Sequence, residues 1–265
     1  MTKKKKAVVF DLDETIGNFI QLGIFWDAYK QYFPDATQDD FFKILDTFYD
    51  YFRPNIMTIF TYLKHKKQQN KNLLVMIYTN NQGPKSWTEM IKNYIEHKIN
   101  FKLFDQVIGA FKVNGRHVEI CRTTHDKTVA DFLNCTHLPP NTQICFLDDQ
   151  MHERMEHERV YYINLKPYTF SMPFDEMIRK YLSSPNARKV ENVYKFKRSM
   201  KFIMSRYNYT PFIKESKEME LDKIITKKVM IHLQKFLKHK QTKHKNNKPL
   251  LNQPKGKHYK TKRNK

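Results

Sequence analysis

Two aspartates stand two residues apart, directly after a short apolar run near the start of the chain. Residues 7–10 are apolar and mostly β-branched or aromatic, as expected of a strand buried on both faces of a parallel sheet. Asp11 and Asp13 follow in the segment DLDET, and in an extended segment residues i and i+2 project to the same side. One carboxylate can then form an acyl-phosphate while the other protonates the leaving group and activates water. We predict that Asp11 is the nucleophile and Asp13 the proton shuttle.

Two further apolar runs end in polar residues. Residues 73–78 lead into Thr79 and Asn80, and residues 144–147 lead into two consecutive aspartates. Ligands of open parallel sheets bind beyond the carboxyl ends of the strands, so all three endings should meet at one site. Thr79, Asn80 and nearby backbone N–H groups are expected to bind phosphate oxygens there.

The carboxylates that this arrangement would crowd together predict a metal site. Repulsion between them favours a hard divalent cation with oxygen ligands, and Mg²⁺ also neutralises the charge of phosphate. The expected cofactor is therefore Mg²⁺, held by Asp11, Asp13, Asp148 and Asp149.

A lysine between the second and the last of these strand endings is expected to bind the phosphoryl oxygens. Lys127 is preferred, because it lies in a predicted helix capped by Asp126, 21 residues before Asp148. Lys112 occupies the same interval of the sequence and is the alternative.

Helical and hairpin patterns separate the three strands. Ser86 and Glu89 fit a capping box for a helix running to about His97, and Asn114-Gly115 predicts a type I′ hairpin within residues 107–120. The interpretation is a doubly wound α/β fold with a mainly parallel sheet, a small β-hairpin insertion and a helical C-terminal extension.

The expected division of the chain is a basic segment at 1–6, an α/β domain at 7–182, a helical extension at 183–237 and a basic tail at 238–265. The extension would include a helix at 224–237, after one at 174–182. Residues 16–52 are unusually aromatic and fit two amphipathic helices separated at Pro34. Core packing is the preferred interpretation of these rings, and a small cap facing the substrate is the alternative.

The net charge of +21 resides at the two ends of the chain. Residues 3–6 are four lysines, and residues 223–265 contain 15 Lys or Arg and no acidic residue, which leaves 29 basic and 27 acidic residues elsewhere. The tail is expected to be disordered and to bind nucleic acid or an acidic partner nonspecifically, with a localisation signal as the alternative. Cutting the chain near residue 222 is expected to leave catalysis intact.

The three cysteines form neither a CxxC pair nor a zinc-ligand spacing, which argues against a disulfide framework and favours a reducing compartment. No apolar run is long enough to span a membrane, and the apolar run after the N-terminal lysines is too short for a signal peptide. We expect an intracellular protein of the cytoplasm or nucleus.

The ordered motifs resemble those of the haloacid-dehalogenase-type phosphatases, in the NLI-interacting-factor-like or C-terminal-domain phosphatase branch. The resemblance covers residues 7–166 and rests on the motif ending in Asp11-Leu-Asp13-Glu-Thr, on Phe52-Arg53-Pro54, on the motif beginning at Thr79, on the segment with Lys127, and on the motif ending in Asp148-Asp149. It implies that Asp11, Asp149 and the backbone carbonyl of Asp13 hold Mg²⁺ while Asp148 orients Lys127. It extends to proteins encoded by large DNA viruses, which makes a viral source, and then a host cell or virion location, an expectation.

The chain departs from that branch at two motifs. Thr79-Asn80-Asn81 stands where the branch has a Thr-Ala-Ser-like motif, and residues 16–18 replace its hydrophobic-His ending. The predicted substrate is a phosphoserine or phosphothreonine protein. A nucleic-acid end, a small phosphate ester, or no substrate at all in a nucleic-acid-binding module with a vestigial fold are the alternatives, and the intact Asp11 and Asp13 argue against the last of these.

Overall fold

The computed structural model describes residues 5–238, and these form an α/β fold around a five-stranded parallel sheet. The strands are β1 (Lys6–Phe10), β2 (Leu73–Tyr78), β3 (Gln106–Ile108), β4 (Lys112–Val113), β5 (Arg116–His117), β6 (Gln143–Asp148) and β7 (Val160–Asn164). The α-helices are α1 (Ile20–Tyr32), α2 (Gln38–Thr47), α3 (Ile56–Gln69), α4 (Lys85–Ile99), α5 (Val129–Thr136), α6 (Phe174–Leu182), α7 (Val193–Met204) and α8 (Ser216–Lys238).

The sheet order β3-β2-β1-β6-β7 places β1 at the centre. Phe10 is level with Ile77 of β2 and with Leu147 of β6. The polar residues that follow these three strands therefore emerge side by side at one edge of the sheet, as the sequence predicted.

The alternation of buried side chains along the central strands produces two cores, because successive side chains of a strand point to opposite faces. Val8 and Phe10 belong to the larger core, which includes residues from α1–α4 and α6–α8. Ala7 and Val9 belong to the smaller core, which includes Phe132 of α5. Helices thus cover both faces of the sheet. The predicted α/β class with a parallel sheet is confirmed, and the arrangement is compatible with a Rossmann-like fold.

The aromatic segment forms the two helices predicted around Pro34, α1 and α2, and core packing is the observed role of most of its rings. Eight of them are buried: Phe19, Phe25, Trp26, Tyr29, Phe41, Phe48, Tyr51 and Phe52. Edge-to-face contacts such as that between Phe25 and Phe48, with ring centroids 4.9 Å apart, join the helices to each other.

Two predicted helix caps are wrong. α4 begins at Lys85 without a side-chain cap, and the Trp87 N–H already bonds the Pro84 carbonyl, so the predicted capping box lies inside the first turn. α5 is capped by Thr128, whose hydroxyl accepts a hydrogen bond from the Asp131 N–H at 2.9 Å, and not by Asp126. Lys127 therefore precedes its helix.

The predicted hairpin is confirmed but is shorter than its sequence pattern suggested. Asn114 (φ 49°) and Gly115 (φ 79°) form the turn between β4 and β5, and left-handed values at both positions are those that a type I′ turn requires. Val107 belongs instead to β3, which pairs in parallel with β2.

The C-terminal extension differs most from the sequence-based expectation. α6 has the predicted bounds, α7 had no clear sequence pattern, and α8 begins eight residues before the predicted helix. Val229, Leu233 and Phe236 of α8 are buried in the larger core, so a cut near residue 222 would remove a packed helix. Lys238, the first residue of the predicted disordered tail at 238–265, is instead the last residue of α8. The rest of that tail lies outside the described residues, as do residues 1–4.

The expectation of no disulfide is also wrong. Cys121 and Cys135 are joined by a disulfide with Cα atoms 5.0 Å apart, and Cys145 is a buried free thiol. The disulfide links the segment after β5 to α5, with 14 residues of sequence separation, and the odd cysteine count concealed it. It also removes the cysteine-based argument for a reducing compartment.

Within residues 5–238, no helix is long and apolar enough to cross a membrane.

Candidate active site

The loop after β1 turns sharply and brings both aspartates to the sheet edge. The Asp11 N–H bonds the Leu147 carbonyl at 2.8 Å, which continues the β1–β6 ladder to the first catalytic candidate. Glu14 has φ of 60°, a left-handed conformation that is costly for a residue with a side chain and that clusters at functional sites. Its N–H bonds the Gly17 carbonyl at 2.7 Å and closes the turn.

Lys127 lies between two aspartates from two different strands. Its ammonium is 2.5 Å from Asp11 Oδ1 and 2.7 Å from Asp148 Oδ2. The rings of Tyr78 and Phe146 flank the ammonium, with their centroids 5.7 and 5.8 Å from it. Lys127 and Asp148 are almost completely buried, so water screens these charges little.

Lys112, the alternative lysine, is at a different place. It lies in β4, and its ammonium is 4.9 Å from the centroid of the Phe111 ring. Among the described residues, no ion pair joins it to the aspartates. The geometry therefore favours Lys127.

The last motif is held in place by the loop after β1. Thr15 donates its hydroxyl hydrogen to Asp149 Oδ1 and accepts the Asp149 N–H, both at 3.1 Å. Asp148 Oδ1 accepts the Gln150 N–H at 2.9 Å, and His152 Nε2 lies 3.4 Å from Asp148 Oδ2. Asp148 is thereby fixed on both oxygens, and the two oxygens of Asp149 accept hydrogen bonds from the side chains of Thr15 and Gln150.

Asp13 is oriented by the second motif. Asn81 donates its side-chain N–H to Asp13 Oδ2 at 2.6 Å, and its backbone N–H bonds the Thr79 hydroxyl at 3.0 Å. Asp13 Oδ1 is buried without a hydrogen-bond partner among the described residues. A buried acceptor left in this way is costly, which indicates that it serves a ligand or a transferred proton.

Arg122, which the sequence did not single out, joins the second motif to the segment before Lys127. Its buried guanidinium donates to the Thr79 carbonyl at 3.3 Å and to the Asn80 side chain at 2.8 Å. On its other side it donates to the His125 carbonyl at 3.0 Å. The Asn80 side chain is therefore engaged by Arg122, and its predicted role in binding phosphate stays a prediction, as does that of Thr79.

Arg53, quoted above only as part of a resembling motif, fastens the loop after β1. Its Nε donates to the Thr15 carbonyl at 2.7 Å and its Nη2 to the Glu14 carbonyl at 2.6 Å. A single arginine before a helix has no sequence signature that identifies this role.

The carboxylates fit a divalent cation. Oxygen atoms of Asp11, Asp148 and Asp149 all lie within 4.8 Å of one another, and the unpartnered oxygen of Asp13 belongs to the same loop. An all-oxygen donor set with excess negative charge suits Mg²⁺, which takes one or two carboxylates and completes its shell with water and substrate oxygens.

The pKa shifts of the aspartates indicate that the cluster holds more negative charge than Lys127 alone compensates. Burial raises the pKa of Asp11 well above its usual range, and Lys127 opposes that effect. Burial also raises the pKa of Asp13, against the hydrogen bond from Asn81. Burial would likewise raise the pKa of Asp148, but its ion pair with Lys127 holds that pKa below its usual value. The Lys127 ammonium thus stabilises the ionised form of Asp148, but it does not offset the effect of burial on Asp11 and Asp13.

A small pocket opens beside these residues. Its lining includes Thr79 and Asn81, Lys85 at the start of α4, and Val113 and Val118 of the hairpin segment. The hairpin segment therefore shares a pocket with Asn81, whose side chain orients Asp13.

No protein-family model matches the chain, and no curated protein or solved structure is significantly similar to it. The function of the site must therefore be inferred from its side chains.

Proposed function

We propose that this protein is a Mg²⁺-dependent phosphatase that hydrolyses phosphate monoesters through an aspartyl-phosphate on Asp11. The observation that carries the proposal is the Lys127 ammonium, 2.5 Å from Asp11 Oδ1 and 2.7 Å from Asp148 Oδ2. Asp11 and Asp148 lie at the sheet edge, next in the chain to Asp13 and Asp149, and Lys127 reaches them from the loop before α5. A buried ammonium beside a carboxylate nucleophile offers a fixed positive charge for the oxygens of a transferring phosphoryl group.

In the first step, the Asp11 carboxylate forms a bond to phosphorus while the bond to the leaving oxygen breaks. Asp13 donates a proton to that oxygen, so the product leaves as a neutral alcohol. The hydrogen bond from Asn81 to Asp13 Oδ2 fixes the carboxyl group and leaves Oδ1 available for the transfer.

In the second step, Asp13 accepts a proton from water, whose oxygen attacks phosphorus and displaces the Asp11 carboxylate. Phosphate is released and both aspartates return to their starting states. Lys127 and the Thr79 hydroxyl would hold the phosphoryl oxygens in both steps.

Asp11 and Asp149, with the Asp13 backbone carbonyl, are the residues that would hold Mg²⁺. Asp148 is the weakest ligand candidate of the four, because both of its oxygens already accept hydrogen bonds, from Lys127 and from the Gln150 N–H. When bound, the cation supplies positive charge that offsets the carboxylates and the phosphate.

We further propose that the chain is a haloacid-dehalogenase-type phosphatase acting on phosphoserine or phosphothreonine in proteins. The ordered motifs support this, as does the position of three of them at the carboxyl ends of parallel strands. Both the family and the substrate class rest on the resemblance of these motifs to those of the haloacid-dehalogenase-type phosphatases.

Phosphate release tests the activity and the substrate class together. The panel is phosphoserine and phosphothreonine peptides, a 3′-phosphorylated oligonucleotide, sugar phosphates and a small aryl phosphate, each with Mg²⁺ or with chelator. We expect release that requires Mg²⁺, is fastest on the peptides and is lost in Asp11→Asn. Preference for the oligonucleotide or sugar would redirect the substrate class, and no release from any substrate would refute the phosphatase.

A further inference from the structure

The C-terminal extension contacts the loop after β1 through a buried chain of polar residues. The first link is Arg53, which is almost fully buried and bonds the Glu14 and Thr15 carbonyls. Its Nη2 also donates to the Lys166 carbonyl at 2.9 Å. Arg53 thus holds the loop that follows Asp13 and the segment that follows β7 in one relative position.

The second link is the segment 166–169, which has its own bond to the same loop. The Tyr168 N–H bonds the Glu14 carbonyl at 2.8 Å. The Tyr168 ring centroid lies 5.6 Å from the Arg53 guanidinium carbon. The Glu14 carbonyl therefore accepts from both Arg53 and Tyr168, and its left-handed backbone is held from two directions.

The third link belongs to the extension. Lys214, just before α8, donates to the Thr169 carbonyl at 2.7 Å, and its ammonium is 4.6 Å from the Tyr168 ring centroid. The ammonium also forms an ion pair with Asp222 of α8, and both side chains are buried. The pair joins α8 to the segment that supports Glu14.

Stability alone does not explain why the ion pair between Lys214 and Asp222 is buried at this place. Apolar residues of similar volume would stabilise α8 as well or better, because desolvation offsets most of the attraction between buried charges. Burial lowers the pKa of Arg53 to about 10, and Asp222 is the strongest of the negative charges that oppose this effect. Asp222 therefore acts on both cations that hold the segment.

We propose that Asp222 is a positioning residue for the active site: by fixing Lys214 against segment 166–169, it holds the Arg53-bound loop at Glu14 and Thr15, and so makes α8 part of the catalytic unit. The role in catalysis rests on the proposed phosphatase function. The coupling between Asp222 and the loop after β1 does not rest on that function, and it can be measured without any substrate.

Hydrogen exchange measured by mass spectrometry tests the link directly, on the full chain. In Asp222→Asn, the peptide covering residues 11–18 should exchange about tenfold faster than in the wild type, because the Glu14 and Ile16 N–H bonds open more often. Glu220→Gln is the matched control, since Glu220 lies on the same helix and, within residues 5–238, forms its ion pair with exposed Lys223. It should exchange like the wild type at residues 11–18.

A double variant separates positioning from folding. Lys214→Met with Asp222→Leu replaces the pair by apolar groups, so α8 should stay packed and the unfolding midpoint should stay near that of the wild type. The bond to the Thr169 carbonyl is lost, and residues 11–18 should again exchange faster. This variant decides the question if Asp222→Asn does not fold.

Turnover of a small aryl phosphate supplies the catalytic readout. A misplaced nucleophile slows the chemical step, so Asp222→Asn should lower kcat about tenfold or more while KM changes less than about twofold. Unchanged exchange at residues 11–18 in both the Asp222→Asn and the double variant would overturn the proposal. A wild type that releases no phosphate would instead refute the phosphatase, and the exchange result would still decide the link.

Discussion

Replacing Lys127 by methionine removes the single ammonium that two aspartates share. Methionine has a similar length and can remain among the rings of Tyr78 and Phe146, so the change is mainly one of charge. Two contacts are lost, at 2.5 Å to Asp11 and at 2.7 Å to Asp148, at a lysine side chain that is 2% exposed.

The size of the effect follows from that burial. Breaking a buried ion pair by removing one partner costs about 3–5 kcal/mol of unfolding free energy, because a charge is left uncompensated. Protonation of Asp11, whose pKa burial already raises, should reduce that cost. Losing one fixed positive donor to a reacting oxyanion lowers kcat by about 10²–10³. Denaturant unfolding and aryl phosphate turnover with saturating Mg²⁺ measure the two effects separately.

Lys112→Met is the matched control, because Lys112 is the other lysine that the sequence allowed and its ammonium lies over the Phe111 ring, 4.9 Å from the centroid. It should keep kcat within about twofold of the wild type and unfold at nearly the same denaturant concentration. A Lys127→Met protein that is folded and keeps wild-type kcat would refute the assignment, and loss of activity in Lys112→Met would transfer the role to that lysine.

The remaining predictions concern the nucleophile, the metal, the tail and the disulfide. Asp11→Asn should abolish turnover and stay folded by circular dichroism, because an amide cannot attack phosphorus as a carboxylate does. Chelator should abolish activity, Mg²⁺ should restore it, and Ca²⁺ should inhibit it because its coordination is larger and looser; full activity in chelator would exclude the metal. A cut after residue 238 should preserve ester turnover and remove salt-sensitive nucleic-acid binding, whereas a cut after residue 215 should abolish turnover. Cys121→Ser should lower the unfolding free energy of the unreduced protein by up to about 3 kcal/mol, and a wild type with free thiols by mass spectrometry would contradict this.

The sequence predicted the centre of the fold because the central strands are continuous apolar runs that end in polar residues. β2 has the predicted bounds, β1 begins one residue earlier than predicted, and β6 is one residue longer at each end. Parallel pairing then brings the endings together whatever the connections are, so the convergence of Asp11 and Asp148 could be expected. Lys127 lies in the loop before α5 and not at a strand end, so its place beside them does not follow from strand pairing.

The edges of the sheet and the supports of the site could not be predicted in this way. β7 carries two tyrosines and an asparagine in five residues and lacks the apolar continuity of a central strand. Arg53 and Arg122 donate to backbone carbonyls far away in the sequence, and Asp222 pairs with Lys214 before the start of α8. Such contacts leave no local pattern. The start of α5 was misplaced because Asp126 and Thr128 are both good caps, and the tertiary bonds around Lys127 select the second.

Trapping the covalent intermediate tests the central claim most directly. The protein is mixed with a ³²P-labelled phosphopeptide and Mg²⁺, quenched in acid within the first turnover, and analysed for bound label. We predict a label that hydroxylamine removes, as it does from acyl-phosphates, that maps to the peptide containing Asp11 and that is absent in Asp11→Asn. Phosphate release without any labelled protein, or a label on another residue, would contradict an aspartyl-phosphate on Asp11.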